Sequence, residues 1–135
     1  MLRVLLALVL GLCCVFATNA QSLGSSAPNG SSTPKTTQTC SGAQTLNFAS
    51  YGDTAYEVTL TGNCTVTIVD PGTPGTLRRI TVIIHPASYQ ATLPASSSSL
   101  LWSGGSAPVP STTTDTIIIF ESTGAGRIYA YVQFP

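Results

Sequence analysis

The sequence predicts an all-β fold, an antiparallel β-sandwich or jelly roll of about eight short strands, preceded by a signal peptide and a flexible tether. Three observations predict it. Apolar and hydroxyl residues alternate with period two in several short runs, as they do in half-buried strands. Clusters of Gly, Pro, Ser and Asn break the chain between those runs. No stretch after the N-terminal apolar run carries helical periodicity.

Met1 to Ala20 reads as a secretory signal, with a basic start ending at Arg3, an apolar run from Val4 to Phe16 and Thr18-Asn19-Ala20 as the cleavage site. The apolar run falls short of the roughly 20 residues that span a bilayer, so no membrane span is expected once the signal is removed. Residues 21–39 are rich in Ser, Thr, Pro, Gly and Asn, with Leu23 and Ala27 as the apolar members. Such a composition cannot bury enough surface to offset chain entropy, so a flexible tether is expected there. Residues 40–135 then form one domain, long enough for a single small core.

Cleavage would remove Cys13 and Cys14 and leave Cys40 and Cys64. In an exported chain those two are expected to pair, the alternative being two buried free thiols. A loop of this length would stabilise by about 3 kcal/mol in the chain-entropy model. Asn29-Gly30-Ser31 and Asn63-Cys64-Thr65 are glycosylation sequons.

Tyr56 to Val69 carries the clearest strand pattern. Tyr56, Val58 and Leu60 share one face, Cys64, Val66 and Ile68 share another, and Gly62-Asn63 between them predicts a tight hairpin. Thr45 to Phe48 is an earlier short strand. Asp70 to Gly75 is a turn, and Leu77 to His85 a strand stopped by Pro86. Ala91 to Leu93 and Leu100 to Trp102 are brief, and Trp102 is expected to plug the core. Asp115 to Phe120 is apolar on both faces, and Gly124-Ala125-Gly126 leads to a last strand, Arg127 to Phe134.

Chemistry-bearing residues are sparse. The single histidine, His85, has no nucleophile or orienting carboxylate that spacing alone identifies, and no serine sits in a Gly-x-Ser-x-Gly elbow. It reads as a strand-end residue. Asp53, Glu57, Asp70, Asp115 and Glu121 are scattered, whereas a glycosidase needs two carboxylates facing across a cleft. No metal-ligand cluster and no cofactor motif stands in the sequence. After signal removal, Lys35, Arg78, Arg79 and Arg127 oppose those five acids, a net charge of about −1 that argues against nucleic acid as a partner.

Surface chemistry is what remains. In the last strand Ile128, Ala130, Val132 and Phe134 fall on one side, leaving Arg127, Tyr129, Tyr131 and Gln133 on the other. Two tyrosines flanked by Arg and Gln can stack on sugar rings and hydrogen-bond their rims; the plainer reading is that they cover a subunit contact or fill a second buried face. Ile83, Ile118 and Phe120 are assigned to the face opposite the core, an excess of apolar surface that predicts a homo-oligomer, with a trimer favoured.

Leu46-Asn47-Phe48, the run from Tyr56 to Asn63, Thr65 to Ile68, Arg79 to Ile84, Thr92-Leu93-Pro94, Trp102 to Pro108 and Asp115-Thr116-Ile117 together resemble a small β-module that recurs in bacteriophage tail fibres and other virion appendages. The match runs in order from Leu46 to Tyr129. It implies a non-enzymatic, multimeric appendage or adhesion module and carries over no catalytic residues. The export signal and the cysteine pair depart from that family, whose members sit inside long fibres made in the cytoplasm. The expected function is therefore an exported module, extracellular or periplasmic and virion-associated on the resemblance, that binds a cell-surface polysaccharide or assembles with itself. A purely structural self-assembling protein is the alternative, and a small glycan-active enzyme comes third.

Overall fold

The computed structural model describes residues 33–133 apart from 51, 71, 73 and 74. The expected signal segment, the tether up to residue 32, the Asn29 sequon and Phe134 lie outside the described residues. Seven strands form one sheet system: β1 Lys35–Asn47, β2 Asp53–Val69, β3 Arg78–His85, β4 Ala91–Thr92, β5 Leu100–Trp102, β6 Thr116–Ser122 and β7 Ile128–Gln133. Among the described residues there is no helix.

The strands run in the order β1-β2-β3-β6-β7-β5, with β4 also paired to β2. β1 with β2, β2 with β3, β2 with β4 and β5 with β7 are parallel; only β3 with β6 and β6 with β7 are antiparallel. The architecture is a mixed, parallel-rich β-solenoid, and the expectation of an antiparallel sandwich or jelly roll is corrected. Period-two alternation reports which face a side chain takes; it carries no information on the direction of the neighbouring strand.

The region expected as a hairpin shows how the coil forms. Tyr56 to Val69 lies within one strand, and its two halves do not pair with each other. The half before Gly62 runs beside Lys35 to Cys40, and the half after it runs beside Gly42 to Asn47. The chain turns a corner at residues 61–63, stacked on a corner at Ser41 in β1. A side-chain carbon on Gly62 would approach the Ser41 Cβ to 3.0 Å, so any larger residue there would have to push the stacked corners apart by a few tenths of an ångström. Asn63 accepts the Gln90 N–H at 3.0 Å through its side-chain oxygen, and Cys64 N–H donates to Gln90 O at 2.9 Å, which seats the third corner on the second. Because each strand has already turned, a short return segment closes the coil. A flat parallel pair would need a crossover of about a dozen residues.

Inward residues stack coil on coil. Leu60 lies beside Cys40, Val58 beside Ile84, and Cys64 between Gly42 and Ala91. The core also takes Leu46, Phe48, Val66, Ile80, Val82, Ile118, Phe120, Ile128 and Ala130, all buried. Trp102 is buried, its ring 5.5 Å from Phe120 in an edge-on contact and its N–H donating to Pro94 O at 2.9 Å. Cys40 and Cys64 form a disulfide across neighbouring corners, with Cα atoms 5.8 Å apart.

Two further expectations shift. β1 begins at Lys35, inside the segment assigned to the tether, because Thr36, Gln38 and Cys40 ladder onto β2 beside Tyr56, Val58 and Leu60. In β6, Ile118 and Phe120 face the core with no exposed surface, while Ile117 and Ile119 face outward, the reverse of the assignment made from sequence. Ile83 faces outward as assigned.

Candidate binding face

The outward side of the sheet gathers residues that are far apart in sequence. Strand register sets three rows across it. One row runs Asp53, Arg79, Glu121, Tyr129, Leu101; the next runs Lys35, Ala55, Thr81, Ile119, Tyr131; the third runs Thr37, Glu57, Ile83, Ile117, Gln133. The centre is half-buried and mostly apolar: Ala55, Ile83, Ile117, Ile119 and Tyr131. Charged residues lie to either side of it.

All four residues singled out at the last strand are on this side or at its start. Tyr129 is 42% exposed, Gln133 and Arg127 are exposed, and Tyr131 is half-buried between Ile119 and the Arg79–Glu121 pair. Their inward neighbours Ile128 and Ala130 are in the core, and Val132 packs against it. Arg79 grips Glu121 through Nε at 3.0 Å and Nη2 at 2.7 Å. Burial, reinforced by the adjacent Glu121 carboxylate, raises the Tyr131 phenol above its ordinary value, so it is a neutral hydrogen-bond donor at neutral pH.

At the opposite side the structure assembles a cluster that spacing could not reveal. His85 Nε2 lies 3.0 Å from Glu57 Oε1, and its Nδ1 lies 2.9 Å from Asp115 Oδ1. Lys35 Nζ holds the other Glu57 oxygen at 2.6 Å. Hydrogen bonds to Asp115 and to Glu57 raise the His85 pKa, and those from Lys35 and His85 lower that of Glu57, so the row alternates in sign. Both imidazole nitrogens are engaged, which leaves His85 no free lone pair with which to act as a base. The two carboxylates of this cluster are bridged by the ring, so it fills the space a glycosidic oxygen would need. The sole signal in the sequence was the period-two register of Glu57 and His85 on neighbouring strands, unusable until the parallel pairing is known.

A second hidden cluster lies on the inner side. Arg78, fully buried, pairs with Asp70, which also accepts a hydrogen bond from Ser122; Phe48 lies under the guanidinium at 5.7 Å. Burial pushes the Asp70 carboxyl up, but the Ser122 hydroxyl, the Gly72 N–H and Arg78 outweigh it and the pKa is lowered.

Beside Asp115, the loop between β5 and β6 forms an apolar groove of about 270 Å³ lined by Pro108, Val109, Pro110, Val132 and Gln133. Among the described residues no group of His, Cys, Asp or Glu is arranged to hold a metal ion, and no helix is long and apolar enough to cross a membrane. No family model, curated protein or solved structure matches the chain. The likeness to virion appendages therefore rests on its short sequence strings alone.

Proposed function

We propose that this is an exported, non-enzymatic binding module that lays the outward face of its sheet, centred on Tyr129 and Tyr131, against a cell-surface polysaccharide. The observation that carries the reading is the composition of that face: two tyrosines on a half-buried aliphatic strip, with two of the cations at its margins, Lys35 and Arg79, already matched by carboxylates. Exposed aromatic rings supply stacking area at small entropic cost, and the flanking Gln133 and Arg127 supply rim hydrogen bonds. The Cys40–Cys64 disulfide supports an oxidising, extracellular destination. Where titratable groups do cluster, they are bonded to one another rather than poised around a space.

Isothermal titration of the purified protein against a panel of neutral and acidic surface polysaccharides tests this. Binding is expected for at least one, weakened about tenfold or more by Tyr129→Ala or Tyr131→Ala with the unfolding midpoint little changed. Binding that survives the Tyr129→Ala/Tyr131→Ala double substitution, or no binding across the panel, sinks it. A second reading, self-assembly through the same face, is favoured by Ile83, Ile117 and Ile119 on its surface. It predicts an oligomer indifferent to added sugars and dispersed by Ile119→Lys.

A further inference from the structure

We infer that two copies of the chain pair edge to edge through β1, antiparallel, about a two-fold axis at Ser41. β1 ends the sheet, and among the described residues nothing pairs with its second edge. The direction of its backbone groups can be read from three hydrogen bonds. Pro34 O accepts from Ala55 N–H at 2.9 Å, Cys40 O from the Thr61 hydroxyl at 3.4 Å, and Phe48 N–H donates to Val69 O at 3.1 Å. Even-numbered residues thus turn toward β2. By alternation Lys35, Thr37, Thr39, Ala43, Thr45 and Asn47 turn their N–H and C=O groups to the open edge.

An unpaired strand of 13 residues is a template for another chain. Natural edges are commonly guarded by charge, and the one charge in β1 does not guard this one. Lys35 lies over the outward face, held by Glu57 at 2.6 Å.

The occupant that fits is a second β1. Rotation about Ser41 places Thr37 opposite Thr45 of the second copy, Thr39 opposite its Ala43 and Lys35 opposite its Asn47. Every residue turned to the edge then meets another turned to the edge, and each such pair exchanges two backbone hydrogen bonds. The faces agree as well: inward Thr36, Gln38 and Cys40 meet inward Leu46, Gln44 and Gly42. The corner between Cys40 and Gly42 falls on the axis, so the first arm of one copy lies along the second arm of the other and bend matches bend.

An independent observation points the same way. The Gln38 side-chain oxygen is buried and has no hydrogen-bond partner among the described residues. Its opposite number would be Gln44, whose amide nitrogen reaches only the adjacent Thr45 O at 3.3 Å. Pairing about Ser41 brings a donor to that acceptor twice over, once in each half. Cross-strand Thr pairs add to the match on the outer side.

Light scattering of the purified protein over a wide concentration range tests the pairing, with twice the chain mass expected. Thr39→Pro removes an N–H that serves only the open edge, so it should weaken the dimer about tenfold or more while leaving the circular dichroism unchanged. Thr37→Lys/Thr45→Lys, both at exposed positions, sets like charges opposite each other across the axis and should yield monomer without touching the β1–β2 ladder. Gln38→Leu should weaken the dimer yet raise the unfolding midpoint of the monomer. A single-chain mass at every concentration, a trimer, or a dimer indifferent to the lysine pair overturns the inference.

Discussion

Two ionic clusters sit on opposite sides of the same sheet, built from nearly the same chemistry. On the inside, Arg78 at 0% exposure meets Asp70 at 8%, and Ser122 completes the set. On the outside, Lys35, Glu57, His85 and Asp115 form a longer row whose members are 26–57% exposed. Both tie β3 to distant segments. The difference lies in what water does for a member that loses its partner. An exposed charge is resolvated at little cost, whereas a buried one is stranded. The inner cluster therefore fixes the fold and the outer row tunes it.

The largest test of this contrast is Arg78→Met. It leaves the Asp70 carboxylate buried without its cation, and breaking a buried pair of this kind costs about 3–5 kcal/mol. Urea unfolding should show a midpoint shift of that size. Arg78→Met combined with Asp70→Asn should recover part of the loss, because no uncompensated charge is then left. If the single and double variants are equally unstable, packing of Arg78 on Phe48 rather than charge holds the site, and the comparison fails.

Next comes the staple between the first two coils. Cys40→Ala/Cys64→Ala should lower stability by about 3 kcal/mol, the chain-entropy value for a loop of this length. The loss should not depend on pH between about 5 and 8, roughly the range in which an imidazole such as that of the outer row changes state. A pH-dependent loss would mean that the disulfide and the Lys35 row act as one unit.

These contrasts also mark how far the sequence could be read. Strand faces were legible wherever one side was polar: in β7 the Ile128/Ala130 against Tyr129/Tyr131 split is the one the structure shows. β6 was not, because Ile117, Ile118, Ile119 and Phe120 offer no polar side to break the tie, and only the neighbouring strands decide it. The pairing of Cys40 with Cys64 followed from there being no other candidates once the signal is set aside. Strand direction was illegible, since Gly62-Asn63 satisfies a hairpin and a solenoid corner equally well by composition; the corner is settled by what Gly62 stacks on and by Gln90 reaching Asn63. Both ionic clusters depend on register, the outer one on the parallel β2–β3 pair and the antiparallel β3–β6 pair together, the inner one on β3–β6, which sets Arg78 opposite Ser122. His85 could not be assigned Glu57 until β2 was known to lie beside β3, nor could it be assigned Asp115, or Asp70 be tied to Ser122, until β6 was known to lie on the other side.

The outer row should declare itself through pH. His85 is raised above its ordinary 6.5, so its contribution is complete below 6.5 and is lost as pH rises through the folded value. Glu57 is lowered below its ordinary 4.5, so its contribution is complete above 4.5 and is lost as pH falls through the folded value. The unfolding midpoint should be highest between those two limits and decline on the alkaline side. His85→Gln should flatten that alkaline decline and leave most of the acid limb, which Lys35 acting on Glu57 and the Asp70 cluster also shape. An unchanged alkaline limb in His85→Gln would remove His85 from the account.

The smallest expected effect is at Arg79 and Glu121, the pair beside the tyrosines. Arg79 is 46% exposed, so Glu121→Gln should leave the unfolding midpoint where it was. Its consequence should appear elsewhere. Burial is the first cause of the raised Tyr131 phenol and the Glu121 carboxylate the next, so removing that charge should return the phenol part of the way to its ordinary 10.0. A difference titration of phenolate absorbance between the two proteins reads this directly. Stability unchanged with titration shifted would show that a charge on the open face sets the electrostatics of the tyrosine surface without holding the fold. A stability loss approaching that of Arg78→Met would show that water does not reach this pair, and the division between the two sides of the sheet would have to be redrawn.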